Sequence, residues 1–449
     1  ENIYLLNNKL QNFVGDNTYT FGGVNVRTPN LASSNGVIHT IEGKVNFFSN
    51  LYEYLNKRKY AIDSISDYVH KFDVKILDTE NSVVGPTVNG EITYLDSVFL
   101  ESNALYSRLN RAYINREDSN FSMILPTNKA WNDASARLAP YFNYIPTFKF
   151  SDYSSGTLST IAVKVANDYL RDSLMHYSLV KDLIFNNNLY SNKALINKTS
   201  GSGLSADSLV TTTYDIIYKN DAEDLFQGTE KITMSNGFGW VTDSMRVKSW
   251  NSWCKPIKIE AEYSSYCITT LLGSSNALPA PAASKNPEVS GSVSNNYYID
   301  VVPSKSSSNP EVYFKIPNIL STSYDVYCVF LPANITNVNA ENNRPYKVKI
   351  TIGYNSETGA TKTWNNDKTY ITTLGKVDTV NVGTIQFPIA YRGMPNYYPF
   401  IKVKSNVVSS ELSSYSREMR IDCILLVPKE LNDYKTAHPG YTFKYDTDY

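Results

Sequence analysis

The phrase SNGVIHTIEGKV occupies residues 34–45, and a close copy, SNGFGWVTDSMRV, occupies residues 235–247. A repeat decides architecture before any other feature does, because it counts the units a chain is built from. Asn-Gly tolerates positive φ, so Asn35–Gly36 and Asn236–Gly237 each fit a tight turn. Beyond the turn the side chains alternate, with Val37, His39 and Ile41 on one face and Ile38 and Thr40 on the other. His39 in the first copy stands where Trp240 stands in the second. A histidine with a chemical role would not be exchanged for an indole, so the phrase reads as a structural turn and strand.

Working outward, the 449 residues suit about three domains of ordinary size. The composition is globular, 42% hydrophobic and 19% charged, and it carries 35 Tyr against 5 Trp. Tyr, Thr and Val favour pleated surfaces while Asn, Ser and Gly punctuate turns, so the mix leans towards β-structure. The net charge of −1 gives no overall basic footprint for nucleic acid. No apolar run reaches the roughly 18 residues of a membrane span. The chain opens at Glu1 without a leader-like segment and reads as a mature or trimmed chain.

Residues 1–30 alternate as strands, with Gly22 and Gly23 marking a turn or bulge. Leu51, Leu55, Ile62, Ile65 and Val69 then fall at helical spacing, and Val165, Tyr169, Leu170, Leu174 and Tyr177 form a second stripe. Between them lies the strand-like FSMILPTNKAW at 121–131. Pro126 ends that strand, and Thr127 or Asn128 caps the short helix begun at Lys129. SSNALPAPAASKNPEVSGS at 274–292 reads as a loop. After residue 255 no amphipathic helix is expected. Spaced strands such as IKIEAEY, EVYFKI, YKVKITIGY, YPFIKVKS and MRIDCILLV suggest a sandwich or jelly roll.

These residues resemble a known family. FSMILPTNKAW resembles the first motif of fasciclin (FAS1) domains, and SNGVIHTIEGKV resembles their second, with SNGFGWVTDSMRV a divergent form of it. LMHYSLV at 174–180 is similar to the intervening Tyr-His segment, with Tyr177 in place and Ser178 where a His is usual. The order first motif, Tyr-His segment, second motif runs across 121–247. The resemblance implies α+β FAS1 domains followed by an all-β, jelly-roll-like sandwich. Residues 1–47 read as the closing part of a first, truncated FAS1 domain. Residues 48–250 read as a second, enlarged near 79–118 and 190–230, and residues 255–449 as the sandwich. Long insertions cost little in closure entropy.

Within the last segment, IKIEAEY (257–263) and MRIDCILLVP (419–428) resemble the first and last strands of galactose-binding-like jelly rolls, the scaffold of many carbohydrate-binding modules. That likeness implies a structural Ca²⁺ held by Glu260, Glu262 and Asp422, since hard oxygens suit this ion. Strand charges facing solvent account for the same pattern. The four cysteines, Cys254, Cys267, Cys328 and Cys423, are too sparse for a disulfide scaffold. Cys328 and Cys423 read as small buried hydrophobes, with a cross-strand bridge as the alternative.

No H-E-x-x-H, G-x-S-x-G, Walker A or G-x-G-x-x-G motif occurs, and the four His show no metal-ligand spacing. No motif argues for an enzyme, and the FAS1 resemblance implies a non-enzymatic, exported surface protein for adhesion or interaction. Its Asn/Tyr-rich style and domain arrangement resemble outer-membrane lipoproteins of Bacteroidetes, which implies the cell surface and a lipid anchor outside this chain. The alternatives are a glycan-binding component of a polysaccharide-uptake system and a structural spacer. Expected partners are an extracellular protein or glycan. Trp364, Tyr397 and Tyr398 lie in turn-like stretches of the last segment and are the candidate ligand contacts.

Overall fold

The first repeated phrase closes an N-terminal meander. Strands β1 (Asn2–Tyr4), β2 (Leu10–Gly15), β3 (Tyr19–Phe21), β4 (Val24–Ser33) and β5 (Gly36–Ile41) pair antiparallel in sequence order. The computed structural model describes all residues except 16–17, 153–158, 165–166, 269–271, 274, 283, 366, 395–396 and 444–449, so Val165 lies outside the described residues. Lys9, at the foot of β2, bonds Glu53 at 2.5 Å and Glu117 at 2.7 Å and so anchors the meander to the two segments that carry those carboxylates.

Helices α1 (Leu51–Asn56) and α2 (Asp63–His70) bury Leu51, Leu55, Ile65 and Val69, the stripe expected from their spacing. A capping box between Asn50 and Glu53 starts α1. Next comes a long antiparallel ribbon, β6 (Asp73–Val88) with β7 (Glu91–Asn103), then α3 (Ala104–Arg108). Strand β8 (Phe121–Pro126) is buried at every position and leads into α4 (Asn128–Leu138). At 11 residues that helix is longer than the short one expected to begin at Lys129. The hairpin β9 (Thr147–Asp152) and β10 (Ser159–Lys164) precedes α5 (Asn167–Val180).

After α5 come β11 (Ile184–Asn186), α6 (Ala194–Asn197), β12 (Ser208–Val210), β13 (Ile216–Tyr218) and α7 (Lys219–Phe226). The second repeated phrase then forms the hairpin of β14 (Glu230–Met234) and β15 (Gly237–Thr242). Here β15 is a central strand: it pairs parallel with β8 inside a sheet of order β11-β8-β15-β14. Its last four residues, 239–242, are buried, which is why it carries Trp240 and Val241.

The remainder is all-β apart from one helix. Its strands are β16 (Ile257–Glu260), β17 (Ser275–Pro281), β18 (Tyr297–Pro303), β19 (Glu311–Lys315), β20 (Ser323–Phe330), β21 (Lys347–Asn355), β22 (Thr361–Trp364), β23 (Thr369–Ile371), β24 (Asp378–Gln386), β25 (Phe400–Ser405) and β26 (Met419–Pro428), followed by α8 (Lys429–Ala437). One sheet has the order β17-β18-β26-β20-β24, with β16 also on β26; the other runs β19-β25-β21-β22, with β23 also on β21. The fold is thus α+β followed by a two-sheet sandwich. Two expectations are corrected. Residues 275–281, read as loop, form β17, whose prolines are tolerated because it is an edge strand. Residues 429–437 form α8, hidden from periodicity because it buries only Leu431.

The chain packs as two compact units, Glu1–Ser135 with His176–Lys248, and Ala136–Met175 with Ser249–Tyr449. Residues 136–175, continuous in sequence with the first unit, belong to the second because β9 packs against β21 and β22.

Candidate functional site

The repeated phrase takes the same local shape twice and meets different surroundings. In both copies a Ser-Asn pair makes the two-residue loop and the glycine opens the next strand, as Ser33 pairs with Gly36 and Met234 with Gly237. Neither Asn35 nor Asn236 takes positive φ; only Gly237 does, at φ 131°. This corrects the expected Asn-Gly turn, since a glycine after the loop is the pattern of a type I turn. In the first copy Val37 and Ile38 are 59% and 54% exposed, whereas Trp240 in the second is 0% exposed. His39 lies at the surface, its Nδ1 accepting from the Asn30 N–H at 3.2 Å.

Asn236 is buried and satisfied on both ends. Its Oδ1 accepts from the Leu51 N–H at 2.9 Å, and its Nδ2 donates to Ile114 O at 2.7 Å and Arg116 O at 3.0 Å. Thr127 Oγ1 accepts from the Ala130 N–H at 3.3 Å and so caps α4. Asn128 instead serves α2: its Oδ1 accepts from the Ser64 N–H at 2.9 Å, where Ile62 offers no side-chain cap. Pro126 stands opposite Thr242 at the end of β8. The Tyr177 hydroxyl donates to Arg108 O at 2.9 Å beneath the Arg108 guanidinium, and Ser178 is buried. All these residues build scaffold.

The sandwich holds two arrangements with chemical potential. The first gathers the carboxylates expected from the two ends of its sequence. Along one side, β26 pairs with β18 through residues 419–421 and with β16 through residues 423–426, so Asp422 falls where the partner changes. On the other side the register with β20 slips between Cys328 and Phe330. This bulge brings neighbouring side chains to one side of the strand. Ligating atoms of Glu260, Asp422 and Cys423 consequently lie within 4.8 Å of one another. The three carboxylates are buried, which overturns the solvent-facing reading.

Ser294 organises the cluster. Its N–H donates to Asp422 Oδ1 at 3.1 Å and its Oγ to Glu260 Oε1 at 2.8 Å, while Lys258 Nζ lies 3.2 Å from that same Glu260 oxygen. Glu260 Oε2 and both Glu262 oxygens are buried without a well-formed hydrogen bond, although Asn295 stands beside Glu262. Burial, with Glu260 and Glu262 nearby, pushes Asp422 up to about 7, and burial also raises Glu262. The Cys423 thiol is driven well up by burial and stays neutral, leaving oxygens as the donors. Two buried carboxylates, Glu260 and Asp422, come together beside Lys258 and offer hard oxygens of the kind a divalent cation takes, while Glu262 stands near them outside that ligating group. A cavity of about 340 Å³ opens beside them, lined by Lys258, Ser294, Asp422 and Cys423. All four cysteines are buried free thiols; Cys328 stands opposite Ile424, so the cross-strand bridge to Cys423 does not form.

The second arrangement is the outward face of the sheet β19-β25-β21. Tyr313 and Phe400 lie there with ring centroids 5.7 Å apart, and Tyr398 packs against the same cluster. A Cβ on Gly353 would come within 2.1 Å of the Phe400 ring, so the ring lies flat across the glycine. Of the expected contacts, only Tyr398 joins this group. Trp364 pairs with Ile352, on the core-facing side of β21, and approaches Gly383 of the opposite sheet. It is removed from the contact set for that reason. Tyr397 is half-buried. Tyr313 and Phe400 were not singled out in sequence; the signal for them is the alternation of EVYFK and FIKVKS.

No family model matches the chain, and no curated protein matches it. Among solved structures it is similar to a FAS1 domain pair from the insect cell adhesion molecule fasciclin I, at 13% identity over 54% of this chain and 68% of that one, with a TM-score of 0.22. It is also similar to the C-terminal family 22 carbohydrate-binding module of Clostridium thermocellum Xyn10B, at 10% identity over 35% of this chain and 87% of that one, with a TM-score of 0.19.

Proposed function

We propose that this chain is a non-enzymatic extracellular interaction protein whose sandwich binds glycan. The observation that supports this reading is the half-buried pair Tyr313, on the outward face of β19-β25-β21, and Tyr398, just before β25, both packed against Phe400, which lies over Gly353. Planar rings held on a rigid sheet present contact area at low entropic cost, which suits the apolar faces of sugar rings. The sequence contains no catalytic motif. The FAS1-like unit then serves adhesion or presentation at the cell surface. Glu260 and Asp422, with Glu262 nearby, would hold a cation, Ca²⁺ by the chemistry of the donors, which would brace β16 against β26.

The test is a glycan array probed with the full chain, followed by titration of the best ligand. Replacing Tyr313 and Tyr398 together by Ala should weaken that ligand about tenfold or more, with the melting temperature retained. Silence across plant, host and microbial glycans would sink the glycan reading and leave protein adhesion in its place.

A further inference from the structure

The outward face that carries Tyr313 also carries lysines in an ordered array. Register fixes their places. Glu311, Lys404 and Lys349 stand side by side on β19, β25 and β21; Tyr313, Lys402 and Thr351 form the next rung; Lys315, Phe400 and Gly353 form the third. Lys349, Lys402 and Lys315 therefore descend one rung per strand and make a diagonal stripe. Diagonal neighbours on adjacent strands lie about 7–8 Å apart, so the stripe is roughly 15 Å long.

Three features separate this stripe from an ordinary solvated face. Lys404 is paired with Glu311 at 3.0 Å and Lys347 with Glu411 at 2.5 Å, but Lys315, Lys349 and Lys402 have no carboxylate within ion-pair distance among the described residues. Lys349 stands directly opposite Lys404, a like-charge pairing that destabilises a sheet. The aromatic rings lie within the array: Lys315 Nζ is 5.0 Å from the Tyr398 ring centre and Lys402 Nζ is 5.7 Å from that of Tyr313. Cationic side chains interleaved with rings suit a ligand that combines sugar faces with regularly spaced negative charge. A neutral glycan would leave the lysines without an anionic partner.

We infer that the outward face of β19-β25-β21 binds an anionic polysaccharide, one bearing carboxylate or sulfate groups, through the stripe Lys349–Lys402–Lys315. This inference deepens the glycan reading and rests on it. The cations bind the acidic groups as charge-assisted hydrogen-bond donors, while Tyr313 and Tyr398 take the sugar faces. The chain as a whole carries a net charge of −1, so attraction to a polyanion must come from this local array.

The test uses the full chain with polygalacturonate, chondroitin sulfate, neutral xylan and single-stranded DNA as immobilised probes at low and high salt. The expected result is binding to one or both acidic polysaccharides that weakens at least tenfold as salt is raised, with xylan and DNA bound far less. The triple variant K315Q/K349Q/K402Q should lose that binding by at least tenfold. K349Q alone should melt no lower than the parent, because it relieves the repulsion with Lys404. That readout separates a lost site from a lost fold. Binding of acidic polysaccharide unchanged in the triple variant would overturn the inference, as would DNA bound equally well. Binding of xylan alone would overturn it while sparing the glycan reading; binding of no polysaccharide would remove both.

Discussion

Gly36 and Gly237 hold the same place in the repeated phrase, yet only one is constrained. A Cβ on Gly237 would lie 1.9 Å from Phe121 O, and its φ of 131° is one that L-residues avoid; a Cβ on Gly36 meets nothing within 4 Å. Gly237→Ala should therefore cost about 3 kcal/mol or more in urea unfolding, and Gly36→Ala about 0.5 or less. Equal costs would refute the assignment of the two copies to different surroundings. The glycine and the Asn before it are legible in sequence as turn residues. The contact with Phe121 is not, because it depends on β15 pairing with a strand from a distant part of the chain.

At the scale of elements, the decisive feature is where β26 exchanges β18 for β16. That exchange buries Asp422 next to Glu260, and its energetic consequence is a cluster of carboxylates with few protein donors. Millimolar Ca²⁺ should raise the melting temperature of the chelator-treated protein by several degrees, the size expected for a stabilisation of about 2–3 kcal/mol in a domain of this class. The double variant E260Q/D422N should show no such response. A parent protein indifferent to Ca²⁺ would remove the cation from the site. The three acidic residues could be read from IKIEAEY and MRIDCILLVP, whereas their burial could not, since alternating charge on a strand usually signals solvent. The lysine face left a trace too: KVK occurs at both 347–349 and 402–404. Each copy alternates outward lysine with buried valine, but only the pairing of β21 with β25 sets the two side by side.

At the scale of the whole molecule, none of the described helices is long and apolar enough to cross a membrane, and the proposal places the chain outside the cell. Protease added to intact cells should degrade it while sparing cytosolic markers; full protection would contradict that location. The sequence by itself determined several elements and their order: the apolar run of β8, the helical stripes of α1 and α2, and most of the alternating strands after residue 255, though not β17 or α8. Those features depend on local period and propensity, which act over a few residues. Only the tertiary structure decided that one copy of the repeated phrase is exposed and the other central, that residues 136–175 join the sandwich unit, and which side chains share the lysine face. Each of those outcomes depends on strand pairing between distant segments. Such pairing is selected by the apolar area that the packed sheets bury together, a quantity that no single stretch of sequence contains.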